Sequence, residues 1–168
     1  MIGLSFGPFA RKNFAIEPLV PADCHHLHRI HAETFSHFWS EDDFHALIGQ
    51  ETVFGFIARE EGRPDDAVGF VLARLTIDEA EILTIAVSPA FRRLGVGREL
   101  MDAVLRHLHH VRAQTLFLEV DQANIAAQAL YRRLGFIKVG ERPAYYETEA
   151  GRSAALILRR DLGTGTPR

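Results

Sequence analysis

The sequence predicts an α/β fold, a mixed sheet of six or seven strands flanked by about four helices, and three observations carry that prediction. Apolar, β-branched and aromatic runs of strand length recur through the first half, one long 3.6-residue apolar period occupies 96–111, and strand-like and helix-like runs alternate after it. The sheet is mixed because hairpins and crossovers both occur. With 168 residues, 47% apolar and 24% charged, the chain suits one domain with a real core and excludes disorder as its overall state.

Residues 14–19 alternate enough for a short strand, which Pro18 and Pro21 punctuate before a helical run to about Thr34 carrying Leu27, Ile30 and His31. Ser40 with Asp43 three positions on forms a capping-box-like start for a second helix bearing Phe44, Leu47 and Ile48. Residues 52–59 and 67–76 read as a hairpin around the acidic turn EEGRPDD, and 79–87 supplies a third run. Val96, Leu100, Met101, Val104, Leu105, Leu108 and Val111 then share one helical face. A strand at 115–120, a helix at 125–134 closed by Gly135, a strand at 136–139 and a last apolar run at 154–158 complete the order. The domain is expected at 14–162, with a loose arm at 1–13 and a frayed tail at 163–168.

Charge and cysteine usage narrow the class. Nineteen Lys and Arg against 22 Asp and Glu give a net charge of -3, which disfavours a dedicated nucleic-acid binder but leaves room for a local basic pocket. A single cysteine, Cys24, excludes an intrachain disulfide and fits a reducing compartment. No stretch approaches the ~18 consecutive apolar residues of a membrane helix, and the glycine- and proline-interrupted N-terminus does not read as a signal peptide. A cytoplasmic protein is expected.

The most specific signal is ILTIAVSPAFRRLGVGREL, a strand running into RRLGVG and then into the long helix. A strand, a glycine loop and a helix N-terminus make an anion site, because unpaired helical N–H groups and the positive dipole end point at one place. Arg92, Arg93 and Arg98 add positive charge there. The dinucleotide fingerprint needs a glycine where Leu100 stands, and a P-loop needs Lys followed by Ser or Thr; both are absent.

What remains, RxxGxG at 92–97, resembles the pyrophosphate loop of the GCN5-related N-acetyltransferases, the GNAT family, whose cosubstrate is acetyl-CoA. The resemblance extends to EILTIAV before the loop, to LEVDQANIAAQALYRRLGF at 118–136 and, more weakly, to FSHFWSEDDF, so it spans roughly 14–160. It is strongest toward the RimI-like subgroup, which acetylates the N-terminal alanine of a small-subunit ribosomal protein. The resemblance implies that the strand at Ile85, Ala86 and Val87 runs beside the acetyl-pantetheine arm and polarises the thioester carbonyl. It implies that Arg92, Arg93, Leu94, Gly95, Val96, Gly97 and Arg98 wrap the pyrophosphate and that Asn124 contacts pantetheine. Asparagine is equally a good N-cap for the helix that follows, and the two roles are compatible.

Acyl transfer from a thioester to an amine needs a neutral amine, a stabilised oxyanion and a proton for the departing thiolate. Glu119, ending the strand TLFLEV, matches the family's general base, and Tyr131, in ALYRRLGF, matches the acid that reprotonates the thiolate. By themselves, Glu119 reads as a carboxylate at a sheet's carboxyl edge, where ligands bind, or as an outward-facing strand residue, and Tyr131 as core. An α-amine with pKa near ~8 keeps a substantial neutral fraction at cytoplasmic pH, whereas deprotonating a lysine near ~10.4 costs roughly 4 kcal/mol at pH 7.4. One carboxylate base therefore suits an N-terminal α-amine of a protein in direct transfer, with no acetyl-enzyme. A small-molecule amine is the alternative acceptor, and a non-catalytic CoA-binding module the alternative class, against which the presence of both Glu119 and Tyr131 speaks.

Two positions depart from the RimI-like pattern. Glu147 stands where a proline follows the paired tyrosines, and Ser153 and Ala154 replace an acidic pair. Tyr145 and Tyr146, in PAYYETEAGRS, and the loop between the first two helices are expected to flank the acceptor groove. Phe35, Phe38 and Trp39 either wall that groove or anchor the loop. Six histidines between His25 and His45, and the cluster His107, His109 and His110, read as solvated helix residues, with no metal expected. Cys24 reads as an inert structural thiol.

Overall fold

A computed structural model describes residues 12–163, so the expected arm and tail fall outside the described residues except at 12, 13 and 163. The strands are β1 (Phe14–Pro18), β2 (Val53–Glu60), β3 (Ala67–Thr76), β4 (Glu79–Val87), β5 (Thr115–Asp121), β6 (Ile137–Thr148) and β7 (Gly151–Asp161). The helices are α1 (Cys24–Thr34), α2 (Glu41–Ile48), α3 (Val96–His110) and α4 (Ile125–Arg133). The strands form one sheet in the order β1-β2-β3-β4-β5-β7-β6. Only β4 and β5 pair in parallel, because α3 is the crossover between them, while every other neighbour is antiparallel.

Local chemistry explains the boundaries. Ser40 Oγ accepts the Asp43 N–H at 3.2 Å while Asp43 Oδ2 accepts the Ser40 N–H at 2.8 Å, closing the capping box that starts α2. Gly135, at φ 85°, takes the left-handed position that ends α4. β3 is buried from Ala67 through Ala73 because it lies mid-sheet with helices on both faces, which is why it reads as an unbroken apolar run.

Each face of the sheet has its own core. On one, Cys24, Leu27 and Ile30 of α1 and Phe44 of α2 pack on Ile57, Phe70, Leu72 and Ala86. On the other, Val96, Leu100, Met101, Val104 and Leu108 of α3 meet Val68, Val71, Ala80 and Leu116, with Tyr131, Leu134 and Phe136 continuing the layer. Burying side chains such as Leu100 or Met101 contributes about 1.5–3 kcal/mol each. Gly69 permits the close seat of α3: a Cβ there would lie 3.0 Å from the Ala86 carbonyl oxygen and 3.2 Å from Val96 Cγ1.

Two expectations change. The strand at 136–139 and the apolar run at 154–158 are parts of a long hairpin, β6 and β7, that absorbs most of the residues between them. Pro143 and Gly140 hide it in the sequence, and pairing with β7 overrides them through two register irregularities. The histidines are also not uniformly solvated. His31 is 4% exposed, and His107 packs its ring 4.3 Å from that of Phe54. Burial lowers the pKa of both, His31 to about 4. Among the described residues no helix is long and apolar enough to cross a membrane.

Candidate active site

The site is built around the end of β4. Its ladder with β5 covers only Glu79↔Thr115, Ala80↔Leu116 and Glu81↔Phe117, and beyond Glu81 the two strands part. On the β3 side the register shifts between Leu72 and Ala73, which face Thr84 and Ile82, so Leu83 is the extra residue of a bulge. A bulge bends and twists its strand, here just where β4 leaves β5.

The Ser88 N–H donates to the Val68 carbonyl at 2.8 Å, and antiparallel alternation from that point gives the ladder bonds of β3 to Ala86 and Thr84. The amides of Ile85 and Val87 therefore face the parting with β5. Of the three residues expected to lie along an acyl arm, Ile85 and Val87 offer backbone groups, while Ala86 is committed to the sheet.

The loop that follows is anchored at its base and open at its tip. Buried Ser88 donates its hydroxyl to Glu33 Oε2 at 2.8 Å, tying the end of β4 to α1. A 3-10 turn over Pro89–Phe91 sets Phe91 edge-on to Phe14, with centroids 6.3 Å apart. Arg92 Nε donates to the Val87 carbonyl at 3.3 Å. Arg93 sits at φ 62° and Gly95 at φ 86°, so two left-handed residues turn the chain into α3, a cost of about 1–2 kcal/mol at the non-glycine position.

Gly95 is the N-cap of α3 and brings no side-chain cap, so the first-turn amides of Val96, Gly97 and Arg98 have no intrahelical acceptor. A Cβ at Gly95 would meet nothing within 4 Å, and one at Gly97 would reach only Leu130 at 3.7 Å and Val87 at 4.0 Å. Packing inside the protein does not demand glycine at 97; open space over unpaired amides, flanked by Arg92, Arg93 and Arg98, fits a phosphate-bearing ligand.

Across the parting, β5 alternates. Leu116, Leu118 and Val120 are buried toward α3 and α4, so Glu119 projects from the opposite face. Its Oε1 lies 2.9 Å from Arg142 Nη2 in an ion pair, and its side chain is 30% exposed. Tyr131 lies on the other side of the sheet, in α4, 5% exposed and 5.8 Å from the ring of Phe136. Burial, reinforced by Tyr146, pushes its hydroxyl up to about 12. Tyr146 is itself raised by burial and then by Glu119, so this one phenol lies within electrostatic reach of both candidates.

Asn124 caps α4, its Oδ1 accepting the Ala127 N–H at 3.1 Å, which leaves its amide Nδ2 without a partner among the described residues. Asp121 fixes the turn before it, accepting the Ala123 N–H at 2.8 Å and the Ser153 hydroxyl.

The α1–α2 loop and the β6–β7 hairpin approach each other over the Glu119 face, with His37 Nε2 3.9 Å from Glu147 Oε2. Trp39 anchors that loop on His31, while Phe38 is 52% exposed. Cys24 is fully buried and its thiol is raised by that burial, so it is protonated and out of reach of a substrate. Among the described residues no three His, Cys, Asp or Glu are grouped to hold a metal ion. Arg142, the Ser88–Glu33 bond and the Leu83 bulge escape the sequence reading, since each depends on strand register.

Residues 24–136 match the model of the Acetyltransferase (GNAT) family. The [ribosomal protein bS18]-alanine N-acetyltransferase of Escherichia coli strain K12 is 36% identical over 139 residues, covering 83% of this chain and 88% of that protein. The enzyme of the same name from Salmonella typhimurium is 35% identical over 120 residues, covering 71% and 78%. The crystal structure of the Escherichia coli ribosomal-protein-S18-alanine N-acetyltransferase superposes with a TM-score of 0.82 at 30% identity, over 93% of this chain and 100% of that one. The structure of Arabidopsis thaliana NAA60 with acetyl-CoA shares the fold, with a TM-score of 0.76 at 20% identity, over 89% and 99% of the two chains.

Proposed function

The chain belongs to the GNAT acetyltransferase family, and on that premise we propose that it transfers acetyl from acetyl-CoA directly to the N-terminal α-amine of a protein, a ribosomal protein being the first acceptor to test. The parting of β4 and β5 carries the reading, because it links an anion-binding loop on one face to an exposed carboxylate on the other. The amides of Val96, Gly97 and Arg98 and the three arginines hold the pyrophosphate, and Asn124 Nδ2 meets the pantetheine arm. The Ile85 and Val87 amides, fixed before charge develops, polarise the thioester carbonyl.

Glu119 accepts the proton of the attacking amine, and Tyr131 donates one to the thiolate. A phenol raised to about 12 is fully protonated at neutral pH, as an acid must be. Similarity to enzymes named for acetylating an N-terminal alanine supports the α-amine as acceptor.

Purified protein should acetylate peptides beginning with alanine faster than a panel of amino acids, polyamines and aminoglycosides. Turnover of a small amine with none of the peptides rejects the acceptor. Acetyl-CoA binding with no transfer to any amine rejects the enzyme reading. Mass spectrometry of cellular N-termini with and without the protein then identifies the acceptor.

A further inference from the structure

We propose that Arg142 is a latch on the general base: it occupies Glu119 until an acceptor ammonium displaces it, and so keeps the enzyme from spending acetyl-CoA on water. The proposal rests on Glu119 being the base. Arg142 Nη2 lies 2.9 Å from Glu119 Oε1, so the carboxylate that must take a proton is engaged in the free enzyme. Both partners reach solvent, at 55% and 30% exposure, and pairs of this kind are weak enough for a competing cation to exchange.

In the same position the arginine also has a second partner. From Arg142 to Tyr146 β6 advances four residues while β7, from Ala155 to Ser153, advances two, so β6 bulges by two residues, with Ala144 at φ 51°. That bulge brings the Tyr145 ring beneath the guanidinium, 5.4 Å from centroid to Cζ. An aromatic face can hold the arginine once it leaves Glu119.

The chemistry explains why a latch matters. A free carboxylate beside a polarised thioester activates water as readily as it activates an amine. In that side reaction the water oxygen bonds to the acetyl carbon, the carbon–sulfur bond breaks, Glu119 takes the water proton, and the thiolate receives one from Tyr131. The products are acetate and free CoA. While the guanidinium sits against Glu119 Oε1, it competes with water for that oxygen. An incoming ammonium carries the same charge as the guanidinium, takes over the carboxylate and leaves Arg142 held by Tyr145 alone, so the base is released only when the amine is beside it.

The test measures thiol release from acetyl-CoA without acceptor, and transfer to an alanine-initiated peptide, in wild type, Arg142→Ala, Arg142→Lys, Tyr145→Leu and Glu119→Gln/Arg142→Ala, with acetyl-CoA affinity and thermal stability checked for each. In Arg142→Ala, hydrolysis should rise about tenfold, approaching the lower range of acid–base effects. The acceptor KM should fall roughly two- to fivefold as its competitor disappears. Arg142→Lys should restore most of the suppression, and the double variant should abolish the rise. Tyr145→Leu, altering an exposed side chain, should raise the acceptor KM about twofold through loss of an exposed cation–π contact.

Unchanged or slower hydrolysis in a folded Arg142→Ala protein that binds acetyl-CoA normally overturns the latch, even if Glu119→Gln abolishes transfer. Full transfer by Glu119→Gln overturns the base and the latch together.

Discussion

The rings of His31 and Trp39 lie stacked, with centroids 5.0 Å apart at 18°, and His31 Nδ1 accepts the Trp39 backbone N–H at 3.2 Å. The bond requires a neutral imidazole with an unprotonated Nδ1, and burial, with His28 adding to it, enforces that state by lowering the pKa to about 4. Thus α1 fixes the loop that flanks the Glu119 face.

This pairing predicts acid sensitivity. Between pH 6.5 and about 4 the unfolded chain binds a proton at this residue that the folded chain refuses, so stability falls as pH falls. The contribution is complete above pH 6.5 and is lost on acidification toward 4, at most about 3 kcal/mol at ~1.36 kcal/mol per pH unit. Urea midpoints from pH 8 to 4.5 should fall less steeply in His31→Phe than in wild type. At pH 8 the variant should be less stable by about 1–2 kcal/mol, because the Trp39 N–H loses its acceptor. Equal slopes would refute the assignment.

Glu119→Gln should lower kcat by about 100- to 1000-fold while leaving acetyl-CoA affinity within a factor of two, the signature of a proton acceptor that does not touch the coenzyme. Calorimetric binding and steady-state kinetics on one preparation decide it.

Tyr131→Phe should lower kcat about 10- to 100-fold with little change in stability, since the ring continues to pack on Phe136. Because the phenol is raised to about 12, no loss of rate below pH 10 should trace to its ionisation. A wild-type basic limb below pH 9 that vanishes in Tyr131→Phe would contradict this.

Gly95→Ala and Gly97→Ala should separate strain from access. Gly95, at φ 86°, should cost about 1–2 kcal/mol of stability as alanine, read as a lower melting temperature. Gly97→Ala should fold at least as stably as wild type, since its Cβ meets only ordinary contacts, yet weaken acetyl-CoA about tenfold by crowding the helix N-terminus. Unchanged affinity in Gly97→Ala would remove the pyrophosphate from that turn.

The elements were legible where one chemical feature decides them. The apolar period marks α3, Ser40 and Asp43 mark the start of α2, and Gly135 marks the end of α4. The glycine loop was legible as an anion site for the same reason: strand, glycines and helix are contiguous in the chain. Arg142 was not, because it stands 23 positions after Glu119 and reaches it only through the ordering of β5, β7 and β6. His31 was not, because residue type marks histidine as polar, whereas the contacts of Trp39, Phe44 and Phe70 make this one part of the core.

The sequence by itself determined the secondary elements, the mixed character of the sheet and the anion loop at 92–98, all of which depend on neighbours a few residues apart, and its resemblance to the GNAT family marked Glu119 and Tyr131 as candidates. Tertiary structure decided which groups meet. It parted β4 from β5 beyond Glu81, turned the amides of Ile85 and Val87 into that parting, put Glu119 and Tyr131 on opposite faces, and closed Arg142 over Glu119. Those outcomes follow from strand register and bulges. A shift of one residue exchanges the two faces of a strand, and pairing between distant segments sets the register.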